Sequence, residues 1–385
     1  MNKRIDWVRR NCRLLASISE EFRAEQPFAG MTIGTGIHLE PKTVALILTL
    51  QDGGARLVST GNLNTTQPAA MDYLRERGVT VIGQPTRDPV EHRTYLDKVI
   101  EEKPDLILDN GGDLFDRFLK SPYANLKGGT EETTSGRMLL EPLRNELAMP
   151  ILVINDSPIK QFAENEHAVG QSVLESYLRI TNRVTNGQRV TVFGYGACGR
   201  GVARNFRAAN AKVSVVEADP VKRLQAHLDG YDTPSRERAI ASADLIVTVT
   251  GNGRVIGETD LPHLKDGAIL ANAGHFPVEI DAQAIACSDA VSERVAYEDG
   301  VETLRLEDGR TIHLISEGHM FNLAGPRPLG NSIESMDLGF ALQARCLEAV
   351  ASGKVGVKSC VVPVPRFIDE MVASAYLDMN YRAAA

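Results

Sequence analysis

A strand that runs straight into a glycine-rich turn leaves a chain few ways to fold. Residues 190–206 read VTVFGYGACGRGVARNF, with Gly194, Gly196 and Gly199 in the order G-x-G-x-x-G after an apolar run and before a helical pattern. Glycines at these positions allow a tight turn and a close approach of pyrophosphate to the helix N-terminus. A second run, AKVSVVEADP, ends at Glu217, the distance at which an acid binds the ribose 2′-hydroxyl of NAD and repels the 2′-phosphate of NADP. The segment therefore predicts a dinucleotide-binding βαβ unit. Cys198, inside the loop, reads as a small packed residue.

The rest of the chain fits around that unit. Short Val/Ile/Leu runs (ARLVST, VTVIG, DLILDN, PILVIND) alternate with helical patterns such as KTVALILTL, PAAMDYLRERG and PVEHRTYLDKVIEE. A second series starts near residue 188 with QRVTVFGYG, AKVSVVEAD, DLIVTVTG, GAILANAG and TIHLISEG. Such alternation predicts parallel sheets with helices on both faces. The expected fold class is α/β, with two doubly wound parallel-sheet domains, one of them a Rossmann NAD-binding domain. The boundaries read as 1–168 with 330–360 for a substrate domain, 169–329 for the Rossmann domain and 361–385 as a C-terminal segment. The pattern HAVGQSVLESYLRITN forms a connector that could serve as a hinge. SIESMDLGFALQARCLEAVAS returns to the first domain.

Composition narrows the partners. A formal net charge of −8 argues against nucleic acid or an anionic membrane. The five cysteines are scattered, odd in number and without metal spacing, which suits reduced thiols in a cytoplasmic protein. No stretch approaches the roughly 20 apolar residues of a membrane span. Ile5, Val8, Leu15, Ile18 and Phe22 recur at helical steps, so the N-terminus reads as an amphipathic helix.

In open sheets of this kind ligands sit beyond the carboxyl ends of the strands. DNGGD, NDSPIK and NAGH fall there. The second of them, NDSPIKQFAEN at 155–165, reads as a helix start, with Asp156 or Ser157 as cap and Pro158 in the first position. Lys160 then lies in the first turn, where the helix dipole disfavours a cation. Glu164 comes four residues later, on the same face of an α-helix.

NDSPIKQFAEN, GYGACGRG, EADP and NAGHFPVEID together resemble the S-adenosyl-L-homocysteine hydrolase family. GIHLEPKTVALILTL, GNLNTTQP, LDNGGDL, GGTEETTSG, SEGHMFNLAG and MDLGFALQ resemble further family segments in the same order, over about residues 30–350. The resemblance implies an enzyme that holds NAD as a prosthetic group and oxidises ribose C3′ transiently. The ketone acidifies the C4′ proton, the 5′-thiol is eliminated and water adds at C5′, with no net redox change.

What the family implies for individual residues can be carried over position by position. Lys160 and Glu164 match the pair that contacts the sugar hydroxyls and handles protons there. Lysine is a poor base at its ordinary pKa of about 10.4, and a positive helix end favours its neutral form. Glu132 matches a ribose-binding acid, and Thr133, Thr134 and Ser135 match a hydroxyl cluster at the nicotinamide end. Asn165 and Asn322 match cofactor-contacting asparagines. His275 matches a histidine near the reacting sugar, and His38 one associated with proton transfer at the 5′ end. Thr65 falls in the substrate-binding set.

Three departures bear on the substrate. Where the family usually carries His-x-Thr-x-x-Thr, often with Glu or Gln before the last Thr, this chain has His38, Glu40 and Lys42. Lysine offers only donors, so it mismatches adenine's 6-amino group and suits a 6-oxopurine. The other reading is a surface ion pair between Glu40 and Lys42, with adenine recognised by the backbone. Asn110 stands where the family has aspartate, which leaves 5′ acid–base work to His38 and water. After Asn322 the family's Gly-His-Pro element is missing, Asn331 being the nearest counterpart, and the Lys…Tyr tail is missing too. NAD exchangeability and the usual tetramer are thereby open.

The expected activity is a nucleosidyl-homocysteine hydrolase of altered base preference, with a nucleoside substrate and a homo-oligomeric state, dimer or tetramer. Two alternatives stay open: a nucleoside-tailoring enzyme using the same 3′-keto chemistry, and a catalytically silent NAD-bound regulator.

Overall fold

The computed structural model describes residues 2–275, 277–324, 327–357 and 359–381. The chain divides into two compact units, Met1–Gln161 with Ile333–Ala385, and Phe162–Ser332. The segment after 361, set apart on sequence grounds, is not separate. Val361–Pro363 extends the first unit's sheet by pairing in parallel with Ile151–Val153.

The first unit is built on strands β1 (Thr32–Ile37), β2 (Arg56–Gly61), β3 (Thr80–Val81), β4 (Leu106–Asp109), β5 (Gly128–Glu131) and β6 (Ile151–Val153). Its order is β3-β2-β1-β4-β5-β6 followed by Val361–Pro363, every pair parallel. The chain reverses its direction of travel between β1 and β4, so the switch-point crevice opens beyond Ile37 and Asp109. His38 and Asn110 are the next residues.

Three helices close this unit's N-terminal layer: α1 (Lys3–Asn11), α2 (Arg13–Glu25) and α3 (Pro41–Asp52). The single amphipathic helix read from the sequence is thus two helices, broken at Cys12. The apolar positions are those the periodicity marked: Ile5, Val8, Leu15, Ile18 and Phe22 are all buried. The break is held from a distance. Asp337, on the helix Ile333–Ala351, accepts from Leu14 N (2.7 Å) and Leu15 N (3.0 Å), capping α2 where Cys12 supplies no side-chain cap. Losing such a cap costs about 1–2 kcal/mol. Asp337→Ala should therefore melt several degrees below the parent in a thermal scan, and an unchanged Tm would contradict this capping role.

The second unit carries β7 (Arg189–Phe193), β8 (Lys212–Val216), β9 (Leu245–Thr248), β10 (Ala268–Asn272), β11 (Val291–Ala296), β12 (Val301–Leu306) and β13 (Thr311–Ile315). Its order is β11-β12-β13-β10-β9-β7-β8. The strands from β13 to β8 are parallel, whereas β12 runs antiparallel to both β11 and β13. A hairpin therefore extends an otherwise doubly wound sheet, with its switch point between β7 and β9. Buried Val190, Val192, Val202, Phe206, Val215 and Val247 form part of the core under that point. Among the described residues no helix is long and apolar enough to cross a membrane.

Candidate functional site

In the first unit the side chains beyond β1, β4 and β5 form a connected polar set. Glu132, just past β5, accepts from Asn110 Nδ2 at 2.6 Å on one oxygen and from Lys160 Nζ at 3.2 Å on the other. All three are buried. Burial alone would raise the Glu132 carboxyl, but the charge and hydrogen bond of Lys160, with His38 and the Asn110 amide, hold it below its ordinary range. Asn62 Nδ2 donates to Asn110 O at 3.1 Å and so fixes that loop.

Asn110 has a physical reason to be an amide here. Its NH2 group faces a carboxylate, where an aspartate would set two anions against each other in a dry place. His38 Nδ1 lies 2.6 Å from Thr65 Oγ1. Thr65 Oγ1 is also 3.4 Å from Asn62 O, so the hydroxyl bridges the imidazole and that carbonyl.

Lys160 owes its position to Ser157. The Ser157 hydroxyl accepts from Ile159 N (3.1 Å) and Lys160 N (3.4 Å) and donates to Asp369 of the helix Arg366–Tyr381 at 2.6 Å. Ser157 is thus the cap, while Asp156 pairs with Arg137 on the surface. The segment beyond this cap differs from the expected α-helix, for Lys160–Ala168 is π-helical. Wider turns bonded five residues apart are rare and recur at functional sites. Glu164 is buried within this segment and Asn165 half-buried.

Glu40 and Lys42 do pair, at 2.9 Å, but not on the surface: both are about 95% buried. Both act on Cys12. Burial, Asp337 and Glu40 push its thiol up, and Lys42 opposes them. Thr133 turns inward to donate to Glu131 at 2.7 Å and lies 2.9 Å from Ser135 Oγ, whereas Thr134 is exposed.

In the second unit the glycine turn has the shape a dinucleotide needs. A Cβ on Gly199 would lie 2.1 Å from Gly194 O, and Gly194 itself (φ +102°) sits 2.8 Å by the same measure from Val249 O, so loop, helix and neighbouring strand close on one another. Above Gly196 nothing lies within 4 Å. The helix Ala197–Ala208 starts there without a side-chain cap, and the first N–H groups of such a helix end suit an anion. Glu217 is held by Tyr195 N (2.7 Å) and Asp219 N (2.9 Å).

Two asparagines meet on one serine. Asn322 Nδ2 donates to Ser172 Oγ at 2.9 Å, and Ser172 Oγ lies 3.1 Å from Asn331 Oδ1. Buried Asn322 Oδ1 has no hydrogen-bond partner among the described residues. That orphan acceptor suits a carboxamide NH2, and with the open space over Gly196 and the fixed acid Glu217 it fits NAD. His275 lies just past β10, after Gly274, whose N–H donates to Asn272 Oδ1 at 2.7 Å. Beside it, Glu279 accepts from Thr250 N and Gly251 N, both at 2.8 Å.

Sequence reading missed Asn62, Glu131, Ser172 and Glu279. A doubled acid in EETTSG was the one available signal, for Glu131.

Comparison with known proteins agrees with both halves. Residues 2–121 match the family model described as S-adenosyl-L-homocysteine hydrolase, and residues 165–327 match that family's NAD-binding domain. Adenosylhomocysteinase of Thermotoga maritima is 39% identical over 97% of this chain and 93% of its own. S-inosyl-L-homocysteine hydrolase of Methanopyrus kandleri is 38% identical over 97% of this chain and 89% of its own. The protein of the same name from Methanothermobacter thermautotrophicus is 36% identical over 98% and 91%.

Proposed function

Since the chain belongs to the S-adenosyl-L-homocysteine hydrolase family and is an NAD-dependent enzyme of that type, we propose that its substrate is a homocysteine nucleoside bearing a 6-oxopurine, with inosyl-homocysteine as the simplest case. The observation that carries this reading is the buried Glu40–Lys42 pair at the start of α3. An ammonium presents three donors and no acceptor. Glu40 holds it in a set direction, and a base oxygen meets it where an amino group would oppose donor to donor. The relatives' names include both adenosyl and inosyl enzymes, so they are compatible with either base.

NAD, when bound, supplies reversible oxidation at the ribose C3′. The Asn322 amide, the glycine turn and Glu217 would hold it, together with Asn165. The remaining work belongs to side chains. Lys160, kept in place by Glu132, donates to the 3′-hydroxyl oxygen as the ammonium and takes that hydroxyl's proton only in its neutral form. Glu132 accepts from a neighbouring sugar hydroxyl. At the 5′ end Asn110 cannot exchange protons, so His38, steered by Thr65, serves the leaving thiol and the incoming water. A thiolate, with an ordinary pKa near 8.5, needs little protonation to leave.

Turnover of adenosyl-, inosyl- and guanosyl-homocysteine, followed side by side by release of free thiol, tests this. The expected result is at least a tenfold higher kcat/KM for inosyl- than for adenosyl-homocysteine. Preference for the adenosyl compound overturns the base assignment. No thiol release from any of the three overturns the hydrolase reading for this chain.

A further inference from the structure

What keeps the Asn110–Glu132–Lys160 set in register lies one residue away. Glu131 ends β5 and is wholly buried. Its carboxylate takes four donors: Gly111 N (3.1 Å), Thr133 N (2.7 Å) and Thr133 Oγ1 (2.7 Å) on one oxygen, Gly112 N (3.0 Å) on the other. Gly111 and Gly112 both have positive φ (+112° and +82°), which lets two successive N–H groups converge on one anion. The fit is tight on the far side as well, since a Cβ on Gly136 would lie 2.1 Å from Glu131 Cδ. The donors come from the two loops that carry Asn110 and Glu132.

Resting on the hydrolase reading above, we propose that Glu131 is a positioning residue, an anionic clamp that draws loop 110–112 against loop 132–133 and so sets Asn110, Glu132 and Lys160 for the sugar.

The setting makes the clamp titratable. Asp109 lies directly opposite Glu131 in the β4–β5 register, is also wholly buried, and takes Asn110 N (2.9 Å) and Phe115 N (3.0 Å). Two carboxyls side by side in a dry site do not both ionise readily. Burial, Glu131 and Asp113 push Asp109 well above its ordinary range. Burial also raises Glu131, with Glu132 adding to the rise, but its donors limit it to about 7. The charge of Glu132 is in turn offset by Lys160.

A carboxyl raised in the fold binds protons more tightly there than in the unfolded chain, so the fold gains stability as pH falls from about 7 toward the ordinary glutamate value of about 4.3. A protonated Glu131 nonetheless points an O–H at a ring of donors and loosens the clamp. Activity and stability therefore move in opposite directions below neutrality, which a purely structural residue would not produce.

The experiment compares NAD-loaded wild type with Glu131→Gln and Glu131→Asp between pH 5.5 and 8.5. Wild-type kcat should fall on the acid side of about pH 7 while its Tm holds or rises. Glu131→Gln should lose that limb and run roughly 10- to 100-fold below the wild-type plateau, the scale of a small misplacement of catalytic groups. Glu131→Asp keeps the charge and should keep an acid limb, with a lower kcat because it spans both loops poorly. Amide exchange over 110–113 and 132–136 should speed up in Glu131→Gln, and in Glu131→Asp if the first variant fails to fold. Unchanged exchange, or an acid limb persisting in Glu131→Gln, overturns the clamp. Absence of turnover in the wild type, with exchange still accelerated in the variants, would sink the hydrolase reading and leave the clamp standing.

Discussion

Replacing Lys160 by methionine is expected to stop turnover and to destabilise the fold by about 3–5 kcal/mol, the usual effect of stranding one member of a buried ion pair. Methionine keeps the length of the side chain but removes the cation from Glu132, 3.2 Å away and buried. The loss in kcat should reach about 10²–10⁴, the range for removing a positioned acid–base group. The two effects separate in the double variant Lys160→Met with Glu132→Gln, which removes the stranded charge. It should recover most of the stability and none of the activity. The pH dependence gives a sharper test. In the wild type Glu132 is held below its ordinary range, so its contribution is fully present above the unfolded value and lost as pH falls through the folded one. Without Lys160, burial loses its strongest opponent and Glu132 rises, so protonation now favours the fold. The gap in Tm between wild type and Lys160→Met should be widest at pH 8 and narrow toward pH 5. A gap that stays constant with pH would mean that the pair does not govern Glu132.

Legibility in the sequence tracked the kind of interaction. The dinucleotide half was readable because its function is tied to residue identity at fixed spacing. Gly194, Gly196, Gly199 and Glu217 fall within one βαβ unit, and the structure gives them the shapes such a turn requires. Strands made of apolar runs were readable as well, as β4, β6, β9 and β10 are. β1 (TIGTGI) and β5 (GGTE) were not. Their glycines lie where neighbours approach too closely for a side chain: a Cβ on Gly129 would be 1.9 Å from Ile107 O, and one on Gly34 would be 2.8 Å from Pro104. A close neighbour thus erased the apolar signal at the centre of the sheet. The hairpin β11–β12 was hidden by charge, although Asp299-Gly300 was a usable turn signal. In the site, Glu132 and Lys160 were found by motif, but what holds them was not. Ser157 with Asp369, and Ser172 with Asn322, are joined across 212 and 150 residues, distances at which spacing carries no information. The π-helical turn at Lys160–Ala168 was equally invisible, since its residues would serve an α-helix as well.

Exchanging the pair at the base end should move the substrate preference without touching the sugar chemistry. Lys42→Glu alone sets two carboxylates together in a buried place, so its main effect should be on folding. The informative variant changes both, Glu40→Thr with Lys42→Glu, which installs an acceptor where the wild type has donors and removes the second charge. A buried donor facing a donor costs about 1–3 kcal/mol, and each 1.4 kcal/mol is tenfold in relative kcat/KM. The wild type should therefore favour inosyl- over adenosyl-homocysteine by roughly 10- to 100-fold, and the double variant should reverse that ratio by a similar factor. Because Glu40 and Lys42 sit at the start of α3 and Lys160 and Glu132 on other segments, kcat at saturation should change far less than the ratio. Lys42→Gln offers an internal control: its amide both donates and accepts, so discrimination should fall toward unity. If the double variant folds and its ratio matches the wild type, the bases are being read elsewhere, and the buried pair serves to seal α3 against Cys12 and Asp337.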